Sequence, residues 1–281
     1  FGPGAYVEAE DALSIKSGKF TINGGEYVGT GEFANPAVAN GNGSENTGAA
    51  LTITTNDNYI HHKIEVIIND GVFQSEKGYA FYEGIARTED KPAADNSRAV
   101  IEIRGGDFTG STTTEDVAGD AVSITEAQEK KCITGGNFSS DVREYAGEGI
   151  ATLKTEDTDT PFTLGEEDAI ADQATTKVES NGKTTYYTNL RQALEESKDA
   201  TPETLATITV INDTDLDDAT IGENVTLTVE DGVNLNVTGT VENKGTVDNK
   251  GTITVQPGAD LDGKVDGSGD VVEVPAPVPD T

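Results

Sequence analysis

IRGGDF, at residues 103–108, holds the pattern that decides the fold. It runs apolar residue, two variable or glycine positions, glycine, one polar residue, aromatic. Three other stretches repeat it: INGGEY at residues 22–27, INDGVF at 68–73 and ITGGNF at 133–138. Their last glycines, Gly25, Gly71, Gly106 and Gly136, are spaced by 46, 35 and 30 residues. A fixed phrase at uneven spacing predicts one structural rung repeated, with excursions of different length between copies. Tyr27, Phe73, Phe108 and Phe138 then occupy one position of successive rungs. Strand spacing of about 4.8 Å lets such rings stack as a ladder.

A second phrase accompanies each unit: ALSI at residues 12–15, ALTI at 50–53, AFYE at 80–83 and AVSI at 121–124. Alternation in KIEVIIND and AVIEIRGG turns Val66, Ile68, Ile101 and Ile103 inward and Glu102 and Arg104 outward. The glycine pairs 24–25, 105–106 and 135–136 offer the positive φ that a sharp corner needs. One rung departs from the pattern. Aligning Ile133 with Ile103 brings Lys131 to an inward position, which is costly, so a bulge or an end rung is expected there. Cys132 then reads as a small filler rather than a nucleophile.

Three excursions, residues 30–48, 85–97 and 109–119, are rich in Gly, Asn, Thr and acids. They are candidates for surface function, since loops on a rigid scaffold carry it. Residues 156–180 form an acidic connection without the repeat phrase. TYYTNLRQALEESKDA then reads as a helix, with Asn189 and Gln192 at capping-box spacing and Leu190, Ala193 and Leu194 on one face. Strands resume in ATITVI, VTLTVE and VNLNVTG. Val241, Val247, Ile253, Val255, Leu261 and Val265 are the inward candidates beyond them. NKGT occurs twice, at residues 243–246 and 249–252, as a second and tighter repeat. Residues 271–281 alternate proline with small residues and read as a linker.

The chain has 281 residues and a net charge of −32. Residues 156–281 contribute −20 of that charge. Nucleic acid is excluded as a partner, because its binding rests on Lys and Arg at phosphates. A strong negative charge keeps an extracellular protein dispersed, and a monomer is expected. The single cysteine rules out an internal disulfide without excluding secretion. No apolar run spans a bilayer, so no membrane insertion is expected of this sequence. It opens at Phe1 without a signal peptide, as a mature or trimmed chain does.

The residues of two regions carry a family resemblance. ITGGNFSSDVREYAGEGIATL looks like the last rung and exit of repeat proteins on the surface of gut-type Gram-positive bacteria. YYTNLRQALEESKDATPETLATITVINDTDL with ATIGENVTLTV is similar to the capping helix and first strands of another such repeat. These proteins are pectin-lyase-like, and the resemblance covers roughly residues 10–270. It implies an all-β fold: a right-handed, single-stranded parallel β-helix, or solenoid, in two segments, with a short capping helix opening the second. The segments would span residues 1–155 and 181–270. It further implies a non-catalytic extracellular module attached to the cell surface through regions outside this chain. Such a module would act as stalk or adhesin and contact a glycan or another host surface component.

The competing function is a polysaccharide lyase or glycoside hydrolase of the same fold. Galacturonan hydrolases of this fold carry paired aspartates, a Gly-His-Gly and an Arg-x-Lys, and none of these occurs here. His61 and His62 are the only histidines, with Asp57 alone upstream. Arg87, Arg98 and Arg104 lack an aligned acidic cluster. No catalytic residue or organic cofactor is therefore assigned. Asp213, Asp215 and Asp217 alternate with Asp218 beside them, a spacing that can gather Ca²⁺. An EF-hand fails here, because its sixth position is Asp218 and its twelfth Asn224. Tyr82, in GYAFYEG, faces outward if Phe81 faces inward, and is the candidate for ligand contact.

Overall fold

In a computed structural model of the chain, residues 1–33, 47–55, 63–85, 99–111, 120–125 and 127–277 are described. They are mostly β, 49% strand against 7% helix, and most strand pairs are parallel. The chain divides into two units: Phe1–Ile150 with Asp157–Glu166, and Ala151–Glu156 with Glu167–Thr281. Among the described residues no helix is long and apolar enough to cross a membrane.

In the first unit the glycine phrases lie one above another. Strand Gly18–Gly29 pairs in parallel with Ile64–Ser75, placing Tyr27 opposite Phe73. Phe73 is opposite Phe108, and Phe108 opposite Phe138. The ring centroids are 5.1, 4.8 and 5.1 Å apart and the planes lie within 15° of parallel. All four side chains are fully buried. Burying each ring contributes about 1.5–3 kcal/mol, and stacking about 0.5–1.5 kcal/mol more per pair. Tyr27 meets the cost of its buried hydroxyl by donating to the Gly24 carbonyl at 3.0 Å.

The glycines of the phrase have two different duties. Gly24, Gly25, Gly71, Gly106 and Gly136 have positive φ. Gly105 and Gly135 do not, contrary to the expectation from the pairs. Their reason is close approach: a Cβ on Gly105 would stand 2.6 Å from the Asn69 carbonyl oxygen, and one on Gly135 would strike that of Arg104. The corner also carries a register shift between Ile22 and Glu26.

A second parallel sheet of this unit joins Leu13–Ile15, Leu51–Thr55, Phe81–Ile85 and Val122–Ile124. Its inward residues share one apolar cluster with Val66, Ile68, Ile101, Ile103 and the aromatic stack. Lys131 is exposed and Cys132 buried, so the expected irregularity falls here. Ile133 keeps its bridge to Ile103, which donates its N–H to the Cys132 carbonyl at 2.9 Å. The last strand of this parallel stack, Gly136–Phe138, carries an antiparallel strand, Phe162–Glu166, on its other side.

The second unit opens with an antiparallel hairpin, Thr176–Ser180 and Lys183–Tyr187, whose first strand pairs antiparallel with Ala206–Val210. These pairings and the closing strand of the first unit correct the expectation of parallel strands throughout. A short helix α1 (Glu167–Ala171) and helix α2 (Leu190–Ser197) take opposite faces of the opening sheet. Tyr186 and Tyr187, adjacent on one strand, point to opposite sides. Tyr186 packs with Ile170 of α1, and Tyr187 with Leu190, Ala193 and Leu194 of α2. Asn189 caps α2, its Oδ1 accepting the Gln192 N–H at 3.2 Å. The Gln192 side chain reaches forward to Glu196 instead of closing the box.

Beyond the hairpin, three parallel sheets form. Ala206–Val210 pairs with Val225–Val229 and that with Thr246–Asn249. Thr214–Leu216, Asn234–Val237, Thr252–Val255 and Asp270–Glu273 make the second, and Ala219–Ile221, Thr240–Asn243 and Asp260–Leu261 the third. Their inward side chains meet in one cluster, in which Val241, Val247 and Ile253 are fully buried. Val255, Leu261 and Val265 are only partly covered. The NKGT doublet does the same work twice: Asn243 donates to the Lys264 carbonyl at 3.3 Å and Asn249 to that of Asp270 at 2.9 Å.

Candidate functional site

Alternation along Phe81–Ile85 sends Phe81 and Glu83 inward and Tyr82 outward. Phe81 is fully buried, whereas Tyr82 is partly exposed. Phe33, distant in sequence, stands edge-on to Tyr82 at 5.2 Å and to Tyr79 at 5.3 Å between ring centroids. Tyr79 and Tyr82 lie 5.8 Å apart, tilted by 31°. Tyr82 is thus one member of an outward aromatic cluster of the first unit. Burial first, then the charge of Asp120, pushes the Tyr79 hydroxyl above its ordinary pKa, and a hydrogen bond with Ser123 opposes them. The sequence reading missed Phe33, because nothing local links it to Tyr82.

It also missed Glu83, which sits among inward apolar residues and is fully buried. Its register neighbours are Ile53 and Ile124. One carboxylate oxygen, Oε2, accepts the N–H groups of Thr125 at 2.8 Å and Ala127 at 3.0 Å. Two amide donors fit a carboxylate, and they offset part of its desolvation. Counting by twos from Phe81 would have found it. Cys132 lies in the same interior, and burial pushes its thiol up to about 12, with Glu129 and Glu83 adding to the effect. A thiol held neutral is inert toward metals and electrophiles, as expected of a filler.

The alternating aspartates of the second unit have separate partners. Asp213 Oδ1 accepts the Asn234 N–H at 2.8 Å, and Asp215 Oδ1 the Asn236 amide at 2.8 Å. Asp218 Oδ1 accepts the Thr240 N–H at 2.7 Å. Each bond reaches a residue 21 or 22 positions on, so these acids tie neighbouring parallel segments together. Asp217 is exposed, with a carboxylate oxygen against Gly239. Among the described residues no group of three or more His, Cys, Asp or Glu side chains is arranged to hold a metal ion.

A groove of 480 Å³ lies beside α2, lined among others by Glu156, Asn189, Arg191, Gln192, Glu195 and Asp218. Its carboxylates have structural partners: Glu156 accepts from the Asn189 amide at 2.8 Å, and Glu195 pairs with Lys198. Glu196, also on its wall, takes Lys154 at 2.7 Å and the Tyr187 hydroxyl at 3.0 Å. Arg104 pairs with Glu102 on the outer face of the first unit. Asp57, His61, His62, Arg87 and Arg98 lie outside the described residues, as do most positions of the three excursions. Comparison with known proteins finds no matching family model, no similar curated protein and no similar solved structure.

Proposed function

We propose that the chain is a non-catalytic extracellular module of a bacterial cell-surface protein, acting as stalk or adhesin. In this reading each unit is a right-handed parallel β-helical segment of the pectin-lyase-like kind, and attachment to the cell comes from regions outside this chain. The observation that carries it is the aromatic stack. Tyr27, Phe73, Phe108 and Phe138 stay in register although the chain between them varies from 30 to 46 residues. A scaffold that absorbs such variation without disturbing its interior suits display of surface loops. The acids support the same reading, since those of the second unit join rung to rung.

Turnover assays test it. The full chain is incubated with pectin, polygalacturonate and related glycans, with and without Ca²⁺, and followed by reducing-end release and unsaturated-product absorbance. No turnover is expected. Reproducible turnover that disappears on replacing one carboxylate overturns the reading. Antibody labelling of intact producing cells checks the location, with surface labelling expected.

A further inference from the structure

We infer that the last strands of the second unit's parallel sheets form a docking surface for a basic β-strand supplied by a partner protein. Asp270–Glu273 ends the sheet that begins with Thr214–Leu216, Asp260–Leu261 ends the three-stranded sheet, and Val265–Gly267 ends the sheet that contains Val225–Val229. Residues of all three line one concavity of 560 Å³. Val255, Leu261 and Val265 on its wall belong to the apolar cluster of the unit and are only partly covered. Asp270–Glu273 is exposed along its whole length. It carries two large apolar side chains in water, Val271 at 48% exposure and Val272 at 46%. An apolar strand left at a sheet edge is a template for pairing with another chain.

The backbone sets what kind of partner fits. On one side the strand pairs in parallel with Thr252–Val255, Val271 opposite Ile253 and Glu273 opposite Val255. Asp270 donates its N–H to the Gly251 carbonyl at 3.0 Å, and Val274 to that of Val255 at 2.9 Å. Parallel pairing uses alternate residues, so the N–H and C=O groups of Val271 and Glu273 are directed the other way. Among the described residues no strand pairs with that side. An extended backbone satisfies such a row, and its alternate side chains supply specificity. The residues that follow cannot fold back to do so, since Pro275 and Pro277 have no N–H to give.

Charge selects the partner. Glu273 stands opposite Val255, and among the described residues it has no ion pair. The same edges carry Asp260, Asp266 and Asp270, whereas Lys264 is already paired with Asp266. A second copy of this edge would bring acid against acid, but Lys or Arg finds a partner there. The strand that fits has an apolar residue beside Val271 and Lys or Arg two places on, beside Glu273.

Calorimetric titration of the full chain with the acetylated, amidated heptapeptide Thr-Lys-Val-Thr-Lys-Thr-Lys tests this surface. One control peptide has glutamate for every lysine. The other is the basic peptide N-methylated at its fourth residue, which keeps the charge and removes the N–H that would meet the Val271 carbonyl. The basic peptide should bind and slow hydrogen exchange at the Val271 and Glu273 N–H groups. The acidic peptide should not bind, and N-methylation should weaken binding about tenfold. Glu273→Lys should also weaken it about tenfold, whereas Asp199→Lys, an equal change of charge just beyond α2, should leave it unchanged. Both side chains are exposed, so both variants should melt as the parent does. No binding of the basic peptide, equal binding of either control, or an equal effect of the two substitutions overturns the surface. Self-association of the chain that protects Val271 and Glu273 overturns it in favour of a second copy. None of these results bears on turnover or cell labelling, so this surface and the stalk-or-adhesin reading fail separately.

Discussion

The rings of Phe73 and Phe108 lie 4.8 Å apart and within 6° of parallel, though 35 residues separate them in the chain. Their spacing is that of neighbouring strands, so the side chains inherit their stacking from the backbone ladder. The ladder in turn needs rings of matching shape at each level, since a smaller residue leaves a gap that close-packed neighbours fill only in part.

Replacing the inner ring tests this coupling. Phe108 is flanked by rings above and below. Phe108→Ala should cost about 3–5 kcal/mol, the transfer free energy plus a cavity that two stacked neighbours cannot close. Phe108→Leu should cost less. Chemical denaturation followed by circular dichroism measures both, and equal losses would argue against a shape requirement.

The two duties of glycine separate in a second experiment. Gly105 has ordinary φ, and its added Cβ would press on the Asn69 carbonyl. Gly2 also lacks positive φ but has nothing within 4 Å. Gly105→Ala should destabilise by about 1–3 kcal/mol through overpacking, and Gly2→Ala should stay within about 0.5 kcal/mol of the parent. Melting temperatures of the two variants decide it.

Glu83 is buried for the sake of two amide groups. Glu83→Ala strands the N–H groups of Thr125 and Ala127 and should cost about 1–3 kcal/mol for each that stays dry. Both donate to the same oxygen. Glu83→Gln can present its carbonyl oxygen there and should retain most of the stability. Hydrogen exchange at Thr125 and Ala127 reads the site directly: protection should fall in the alanine variant and persist in the glutamine variant.

Cys132 makes stability depend on alkaline pH. Burial raises its folded pKa from 9.0 to about 12. Below the unfolded value both states are neutral, and the thiol adds no pH dependence. Above it the unfolded state loses a proton that the folded state keeps, so stability falls as pH rises from about 9 toward about 12. The slope is at most about 1.4 kcal/mol per pH unit. The difference in stability between the parent and Cys132→Ala, measured across that window, removes the contributions of Tyr and Lys. A difference that stays flat would contradict the burial. Iodoacetamide at about pH 8, below the raised thiol pKa, should label Cys132 only after denaturant is added.

Much of the architecture was legible in the chain itself. The repeated phrase marked the stacking aromatics, and alternation assigned Val66, Ile68, Ile101 and Ile103 to the interior. Asn189 marked the start of α2, and Leu190, Ala193 and Leu194 marked its buried face. These are local signals with a fixed period, readable without knowing the partner strand. The antiparallel strand Phe162–Glu166 and the hairpin Thr176–Ser180 with Lys183–Tyr187 were not legible. Phe162–Glu166 and Thr176–Ser180 lie in the acidic connection, where charge outweighed the short apolar pattern, and Thr185–Tyr187, read as the start of the helix, are strand, the helix beginning only at Leu190.

The composition of the chain determined its β character, its strong negative charge and the positions that repeat. Only the tertiary structure decided which groups meet. It brought Phe33 to Tyr82, turned Asp213, Asp215 and Asp218 into links between parallel segments, and enclosed Glu83 around two amide donors. The physical reason is the parallel ladder. Strand alternation settles which side a residue faces, but its neighbours come from the paired strands on either side. The length of each excursion decides which residues those are, and that length is not encoded in the strands it joins.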